Sequence, residues 1–287
     1  MWHTILGHYD TRKIQKLLQA TGHDLIPAVV PKLQASATCS IPMCRSCLRG
    51  KGKLTPNRSI HKTPNPEKTD TIKADHLHPG DCVSTDQFEC RVKGRLPHTR
   101  GKEDPESMYS GGTIFIDHAS GYIIVHHQVS LGGSDTVRSK ELYEIKAAEH
   151  GIQVKSYRGD NGVYKCTAFK DDVTKRKQTL TLSGVGAHGQ NGVAERSIGT
   201  VVNSARTMML HQALLWPEQF DMRLLPFALS HAVYLWNRLP HATYPSTPLE
   251  IYTSIKQDKT TLRNEKVWGC TCYVLDPRLQ DGKKIPK

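Results

Sequence analysis

The order of strand-like and helix-like segments between residues 82 and 238 constrains the fold of this chain most strongly. Short apolar runs predict five strands, at Cys82–Glu89, Thr113–Asp117, Tyr122–Val129, Val154–Arg158 and Thr179–Ser183. Helical spacing of apolar residues predicts four helices, over Asp135–His150, Lys165–Lys175, Gly192–Gln212 and Phe220–Arg238. Three consecutive strands, followed by alternating helices and strands, indicate an α/β domain with a mixed sheet.

The segment before this domain has a different character. One helix is predicted over Tyr9–Thr21, where three apolar residues share a face. A linker rich in Pro, Thr, Asn and Lys is predicted over Leu54–Asp75. Within the later domain, the polar segment Gly94–Gly112 is predicted to be an exposed hairpin insertion.

The charge of the chain favours a polyanionic partner. The 287 residues carry 39 Lys and Arg against 27 Asp and Glu, a formal net charge of +12. Nucleic acid is the first expectation for such a balance, although a basic surface can also be simply solvated. The longest apolar-leaning run, Leu224–Trp236, is too short to span a bilayer, and the N-terminus lacks the apolar core of a signal peptide.

Three carboxylates occupy positions that suit a metal site. Asp86 lies within the first predicted strand, where an acid is costly to bury unless it is paired or bound to metal. Asp160 directly follows the fourth strand, where ligands collect in open α/β sheets. Glu195 lies near the start of the long helix. Three such acids can hold two divalent cations about 3.5–4 Å apart, as phosphoryl transfer requires.

Each acid also has an ordinary explanation. Asp160 could belong to a simple Asp-Asn-Gly turn, and Glu195 could be a favourable acid at a helix start. Their joint occurrence, in this order and in these contexts, favours the metal site.

Four motifs carry a family resemblance. The sequences STDQFE, FIDHASGY, RGDNG and GQNGVAERS resemble the integrase core of copia-type LTR retrotransposons. WHTILGH followed by CRSCLRGK is similar to the pre-integrase zinc region of that family, and the stretch from Thr247 to Val274 resembles the region after the core. The resemblance implies an RNase H-like mixed sheet of five strands with flanking helices, preceded by a small helical zinc-binding module.

The resemblance also implies a domain division and a catalytic triad. It places the zinc-binding module at residues 1–55, a linker at 56–75, the catalytic core at 76–250 and the start of a post-core region at 251–287. It assigns Asp86, Asp160 and Glu195 to the DDE triad of the family, holding Mg²⁺ or Mn²⁺. The implied reactions are 3′-end processing of the element's DNA and strand transfer into target DNA. Asp117, in FIDHAS, is interpreted as a structural acid near the site.

A second group of residues fits zinc. His3, His8, Cys44 and Cys47 supply two nitrogens and two thiolates, a set that suits tetrahedral Zn²⁺. His23 or Cys39 could replace one of these ligands. A redox role for the CxxC pair lacks the βαβ context it would need. The remaining cysteines are predicted to be buried thiols, at Cys82, Cys90, Cys166, Cys270 and Cys272.

Basic and amide side chains near these two sites are candidate DNA contacts, and each could equally be a solvated surface group. They are Lys51, Lys53, Gln190, Asn191, Arg196 and Arg206.

The expected partners are double-stranded DNA, at the element's ends and in the target, and further copies of the chain, with no membrane. The expected location is the nucleus at integration and a cytoplasmic virus-like particle before it. Two alternatives stay open: a non-catalytic DNA-binding remnant, and an RNase H-type nuclease without strand transfer, which the zinc module disfavours. The chain is expected to be a fragment, a truncated gene model or a decayed copy.

Overall fold

The computed structural model of the protein describes residues 2–21, 43–52, 76–95, 104, 106–183, 192–241 and 245–273. The predicted linker and the tip of the predicted hairpin insertion lie outside these ranges. So do five residues of the predicted sites, namely His23, Cys39, Lys53, Gln190 and Asn191.

The core of the chain is one five-stranded sheet. Its strands are β1 (Val83–Gly94), β2 (Tyr109–Asp117), β3 (Ile123–Gln128), β4 (Ser156–Gly159) and β5 (Thr179–Leu182). Their spatial order is β3-β2-β1-β4-β5, with antiparallel pairing among β1, β2 and β3 and parallel pairing of β1 with β4 and β4 with β5. This mixed sheet is RNase H-like, which confirms the predicted fold class.

The β1–β2 hairpin is more regular than the sequence suggested. Its ladder runs from Val83 opposite Asp117 to Gly94 opposite Tyr109, with an irregularity after Glu89. The prediction of an exposed insertion is wrong at both of its ends, since Gly94 at the end of β1, Met108, and Gly111 and Gly112 in β2 are buried. A Cβ on Gly112 would lie 2.8 Å from the Phe88 ring, so only glycine leaves room for that ring.

Eight α-helices occur in the described ranges: α1 (Trp2–Ile5), α2 (Thr11–Ala20), α3 (Arg45–Gly50), α4 (Gly133–Ala148), α5 (Thr167–Lys175), α6 (Gly192–Leu215), α7 (Leu225–Arg238) and α8 (Pro248–Thr253). The predicted helices are confirmed as α2, α4, α5, α6 and α7. Helix α7 begins later than predicted because Asp221 caps a separate 3-10 turn, Met222–Leu224, before it.

The two faces of the sheet are covered by different helices. Alternate strand residues point to opposite faces, so Val83, Phe115 and Tyr157 pack against α4 and α5. On the other face, Ile114 and Ile116 pack against α6 and α7. The buried stripe of α6 is the predicted apolar one, with Ala194, Val201, Ala205, Met208 and Met209 at its centre.

The N-terminal segment shares a core with the sheet domain rather than standing apart from it. Leu6, Ile14 and Leu17 pack with Leu235 and Leu239 of α7 or beside it. The Tyr9 hydroxyl donates to the carbonyl of Ala232 at 2.6 Å. The predicted module and core are therefore joined by buried apolar surface.

The cysteines outside the CxxC pair differ in burial. Cys82 is buried, whereas Cys90, Cys166 and Cys270 are only partly buried. The prediction of a buried thiol is wrong for Cys272, which is exposed because it follows the last helical turn and packs into no apolar cluster of the described chain. No helix in the described ranges is long and apolar enough to cross a bilayer.

Candidate active site and zinc cluster

The three predicted acids come from three elements of the sheet domain. Asp86 lies in β1, which pairs in parallel with β4 so that Ser84 is beside Arg158. Continuing this register by two residues brings Asp160, the first residue after β4, beside Asp86 and on the same face. Glu195 lies in the first turn of α6, which packs on β1 and β2.

The charges of Asp160 and Glu195 act on Asp86. Burial, followed by the negative charges of Asp160 and Glu195, raises the pKa of Asp86 to about 6. The N–H of Gln87, which donates to Asp86 Oδ1 at 2.8 Å, opposes this shift. Such coupling arises only between carboxylates that lie close together. Asp160 and Glu195 are both exposed to solvent, so the group is open to a ligand.

This set of oxygens fits a divalent cation. Within the described ranges, no Lys or Arg forms an ion pair with any of the three carboxylates. Among the residues that the structure describes, the hydrogen bond to Asp160 comes from the backbone N–H of Gly162 at 3.0 Å. Hard carboxylate oxygens are the ligands that Mg²⁺ and Mn²⁺ prefer, and a bound cation would offset the repulsion that raises the pKa of Asp86.

Asp117 has a structural role, as the sequence indicated. Its side chain is completely buried at the end of β2. It accepts hydrogen bonds from the backbone of Gly80 at 2.8 Å and from the backbone and hydroxyl of Ser120 at 2.8 and 2.6 Å. These bonds hold the turn into β3 and the approach to β1. In the β1–β2 register Asp117 is opposite Val83, so it lies on the other face of the sheet from Asp86.

The four predicted zinc ligands lie together. One donor atom from each of His3, His8, Cys44 and Cys47 falls within 4.8 Å of the others. His3 Nε2 is 3.1 Å from Cys47 Sγ, and His8 Nδ1 is 3.4 Å from Cys44 Sγ. A zinc tetrahedron of nitrogens and thiolates has edges of about 3.4–3.8 Å, so this group could hold Zn²⁺.

Burial keeps the two histidines of this cluster neutral. It lowers the pKa of His8 to about 3, with help from the charges of His3 and His211, and it also lowers the pKa of His3. In the metal-free protein, burial raises the pKa of Cys47 to about 11, although the charge of Lys51 opposes the shift. Neutral imidazoles are ready ligands, whereas the thiols must lose protons to bind metal.

The cluster is attached to the helix that carries Glu195. Ser46 Oγ and His211 Nδ1 are hydrogen-bonded at 3.2 Å, and the His211 ring lies 5.0 Å from that of His8. The Ser204 hydroxyl donates to the carbonyl of Gly7 at 2.5 Å. The sequence analysis did not include His211, because nothing in its local sequence marks it as a neighbour of residues 200 positions earlier.

The candidate DNA contacts are placed as follows. Arg196 and Arg206 are exposed on α6, whose first turn carries Glu195. The ammonium of Lys51 donates to the carbonyl of His8 beside the zinc cluster. The other candidates lie outside the described ranges.

One basic residue near the acids was missed. Arg158 lies two residues before Asp160, so the strand period puts both on the same face. Beside it, Ser84 Oγ and His118 Nε2 are hydrogen-bonded at 2.6 Å. The sequence feature that could have identified it is an Arg two residues before a predicted metal-binding acid on the same strand.

Comparison with curated proteins finds a retroelement relative. The chain is 26% identical, over 300 aligned residues and its entire length, to the retrovirus-related Pol polyprotein from transposon TNT 1-94 of Nicotiana tabacum. The chain resembles part of a retrotransposon Pol polyprotein. It spans about a fifth of that polyprotein, 19% of its length. The finding confirms the likeness to a retroelement Pol polyprotein, and the RNase H-like sheet with its His/Cys cluster fits the integrase region of one.

Solved structures of two retroviral integrases are also similar to this chain. The magnesium complex of the HTLV-2 integrase catalytic core domain, dimeric form, is 16% identical, with a TM-score of 0.43 over 61% of this chain and 98% of that one. A simian T-cell lymphotropic virus intasome in complex with PP2A regulatory subunit B56 gamma is 18% identical, with a TM-score of 0.46 over 63% and 57% of the two chains. No protein-family model matches the chain.

Proposed function

We propose that this chain is a retroelement integrase that processes DNA 3′ ends and joins them to target DNA by two-metal phosphoryl transfer. The observation that carries the proposal is the placement of Asp160 and Glu195 near Asp86, whose pKa their charges raise, without a compensating Lys or Arg in the described ranges. Acids arranged in this way are destabilised by their own repulsion, a cost that catalytic metal sites commonly carry.

The three acids would divide the metal ligation among them. Asp86 would hold both cations, with Asp160 and Glu195 holding one each. When bound, the pair would activate the attacking oxygen and stabilise the leaving oxygen of a phosphodiester. Asp86 is suited to the shared position because its backbone is held in the β1–β2 ladder opposite Ile114, two residues beyond the β1–β4 pairing. No Ser or Tyr nucleophile is needed, because water or a DNA 3′-OH attacks directly.

The zinc cluster would serve the assembly of this enzyme on DNA. The first 75 residues hold 12 Lys and Arg against 5 Asp and Glu, so this part of the chain is the most basic. Double-stranded DNA at the element's ends and in the target, together with further copies of the chain, are the proposed partners. The proposed location is a cytoplasmic virus-like particle, and then the nucleus at integration.

The second candidate is a DNA-binding remnant that keeps the fold without the chemistry. Gly199 of α6 favours the remnant. A side chain would have room at this position, and a glycine in the interior of a helix lowers its stability. Such a remnant would bind DNA with the same salt dependence but would join no strands.

A strand-transfer assay separates the two candidates. The full chain is incubated with a labelled duplex oligonucleotide and Mg²⁺ or Mn²⁺, with Ca²⁺ as the control cation. If the chain is an integrase, joined products longer than the substrate should form with Mg²⁺ or Mn²⁺ and not with Ca²⁺. Products absent under all conditions, with DNA binding retained, would favour the remnant.

A further inference from the structure

Arg158 lies on the sheet face that carries the acids, and it has no ion-pair partner among the residues that the structure describes. It is partly buried in β4, and within the described ranges it forms no ion pair and its buried Nε has no hydrogen-bond partner. A guanidinium keeps its charge at every working pH, so burying it without an acceptor is unfavourable. The position is therefore suited to an anion.

Two further polar side chains lie beside Arg158. Ser84 is its direct partner in the β1–β4 ladder, and the Ser84 hydroxyl is hydrogen-bonded to His118 at 2.6 Å. The positive charge of Arg158 acts on His118 and, after burial, is the second cause of the lowered pKa of that histidine. The three residues are called the Arg158 cluster below.

The Arg158 cluster has a fixed relation to the acids. Arg158 and Ser84 lie two residues before Asp160 and Asp86 on adjacent parallel strands. Two residues of a parallel strand span about 6.6 Å. One DNA strand rises about 3.4 Å per nucleotide, so a strand crossing the acids would place a neighbouring phosphate within one or two nucleotides of the scissile one beside Arg158.

We propose that the Arg158 cluster binds a backbone phosphate of the DNA strand that is cut or joined, next to the scissile phosphate. This inference rests on the proposed function, because it takes the acids to be the reaction centre. Arg158 would donate to the phosphate oxygens, in the two-bond geometry that guanidinium and phosphate favour. His118, which is hydrogen-bonded to the buried Ser84, would line the same site. Arg158 is a positioning residue, since it fixes the strand and touches no reacting atom.

DNA binding without divalent metal tests the proposal. The full chain is titrated against a fluorescent duplex at several salt concentrations, as wild type, Arg158→Gln, Arg158→Lys and the control Arg138→Gln. Arg138 is exposed on α4, which covers the opposite face of the sheet. Arg158→Gln should bind about tenfold more weakly, with a log–log salt slope shallower by about 0.9. Arg158→Lys should recover the slope, and Arg138→Gln should match wild type.

A second set of duplexes locates the phosphate. Each carries one uncharged methylphosphonate, at successive positions around the cleavage point. At one position the methylphosphonate should weaken DNA binding by the wild-type protein and leave binding by Arg158→Gln unchanged. The proposal is overturned if Arg158→Gln binds the unmodified duplex like wild type. It is also overturned if every methylphosphonate position weakens DNA binding by Arg158→Gln as much as binding by wild type, because Arg158 then has only a structural role. If Arg158→Gln does not fold, the scan is repeated with Arg158→Lys. The lysine ammonium cannot form the two-bond contact, so the methylphosphonate at that position should reduce DNA binding by this variant less than it reduces binding by wild type.

The strand-transfer assay keeps this result separate from the proposed function. If wild type joins strands but the scan finds no phosphate whose contribution depends on Arg158, only the Arg158 inference is overturned. Inactive wild type with an Arg158-dependent phosphate would support the anion site and overturn the proposed chemistry.

Discussion

Gly50 of α3 lies directly against Thr207 of α6. A Cβ on Gly50 would be 2.9 Å from the Cα of Thr207 and closer still to its hydroxyl. Helix α3 begins directly after Cys44 and contains Cys47, and α6 begins with the turn that contains Glu195. Helix α3, which carries one of the candidate zinc ligands, thus packs on α6 at a position that has no side chain.

Replacement of Gly50 should therefore destabilise the protein. Gly50→Ala gains helix propensity but forces Thr207 or the α3 backbone to move, and overpacking of this kind costs about 1–3 kcal/mol. Denaturant unfolding should show a lower midpoint with an unchanged slope. A midpoint equal to or above that of wild type would show that α3 does not pack on α6 as described.

Gly199 provides the matched control on α6 itself. Nothing lies within 4 Å of a Cβ added there, and the residue is in the middle of a helix. Gly199→Ala should raise the free energy of unfolding by about 0.5–1 kcal/mol, because alanine is the better helix former. Thermal unfolding of the two variants side by side should show shifts of opposite sign. A lower midpoint for Gly199→Ala would contradict the placement of this residue.

Zinc removal should weaken the whole molecule, since the N-terminal segment shares a core with α7. Cys44→Ser should lose zinc and lower the melting temperature of the catalytic domain by about 10 °C, in one transition. Cys272→Ser, at an exposed thiol, is the control and should change neither property. Metal analysis and calorimetry make the test. Two separate transitions, with the later one at the wild-type temperature, would show that module and core fold independently.

Stability should also depend on pH through Asp86. Its pKa is raised from 3.8 to about 6 in the metal-free fold, so the folded state favours the protonated carboxyl. The stabilising contribution is complete below about pH 4 and is lost as the pH rises through 6. Asp86→Asn should therefore be more stable than wild type at pH 7–8, by about 1–2 kcal/mol after screening by water, and should show no such gain at pH 4.

The control for this experiment is Asp171→Asn, at an exposed position on α5. It should change stability by less than about 0.5 kcal/mol at either pH. Urea unfolding in the presence of a chelator measures all three proteins. A gain for Asp86→Asn that is as large at pH 4 as at pH 8 would show that it does not come from the carboxylate charge.

Several parts of the architecture were predictable from local sequence. The strands follow from short apolar runs, and the buried stripe of α6 follows from apolar residues such as Ala194, Val201 and Met208 at helical spacing. The positions of Asp86 in a strand and Asp160 after one also follow from the same patterns. These features depend on neighbours within a few residues along the chain.

Other features depend on partners that are distant in sequence. Lys140 is completely buried in α4, which its residue type argues against, because Glu144 and Asp172 pair with it at 2.8 and 2.6 Å. Asp172 comes from α5, and only the folded sheet brings the two helices together. Arg158 was missed for the same reason, since its value as an anion site depends on Ser84 and His118 from other strands or turns.

The central claim is tested most directly by Glu195→Gln, which keeps the shape of the side chain and removes one metal ligand. Strand transfer by the variant should fall to background in Mg²⁺ and Mn²⁺, because a misplaced cation no longer activates or stabilises the reacting oxygens. DNA binding without metal should stay level or tighten slightly, since one repelling charge is gone. If Glu195 were only a favourable acid at a helix start, the variant would lose less than about 1 kcal/mol of stability and join strands normally. Wild-type strand transfer by Glu195→Gln would contradict the proposed triad.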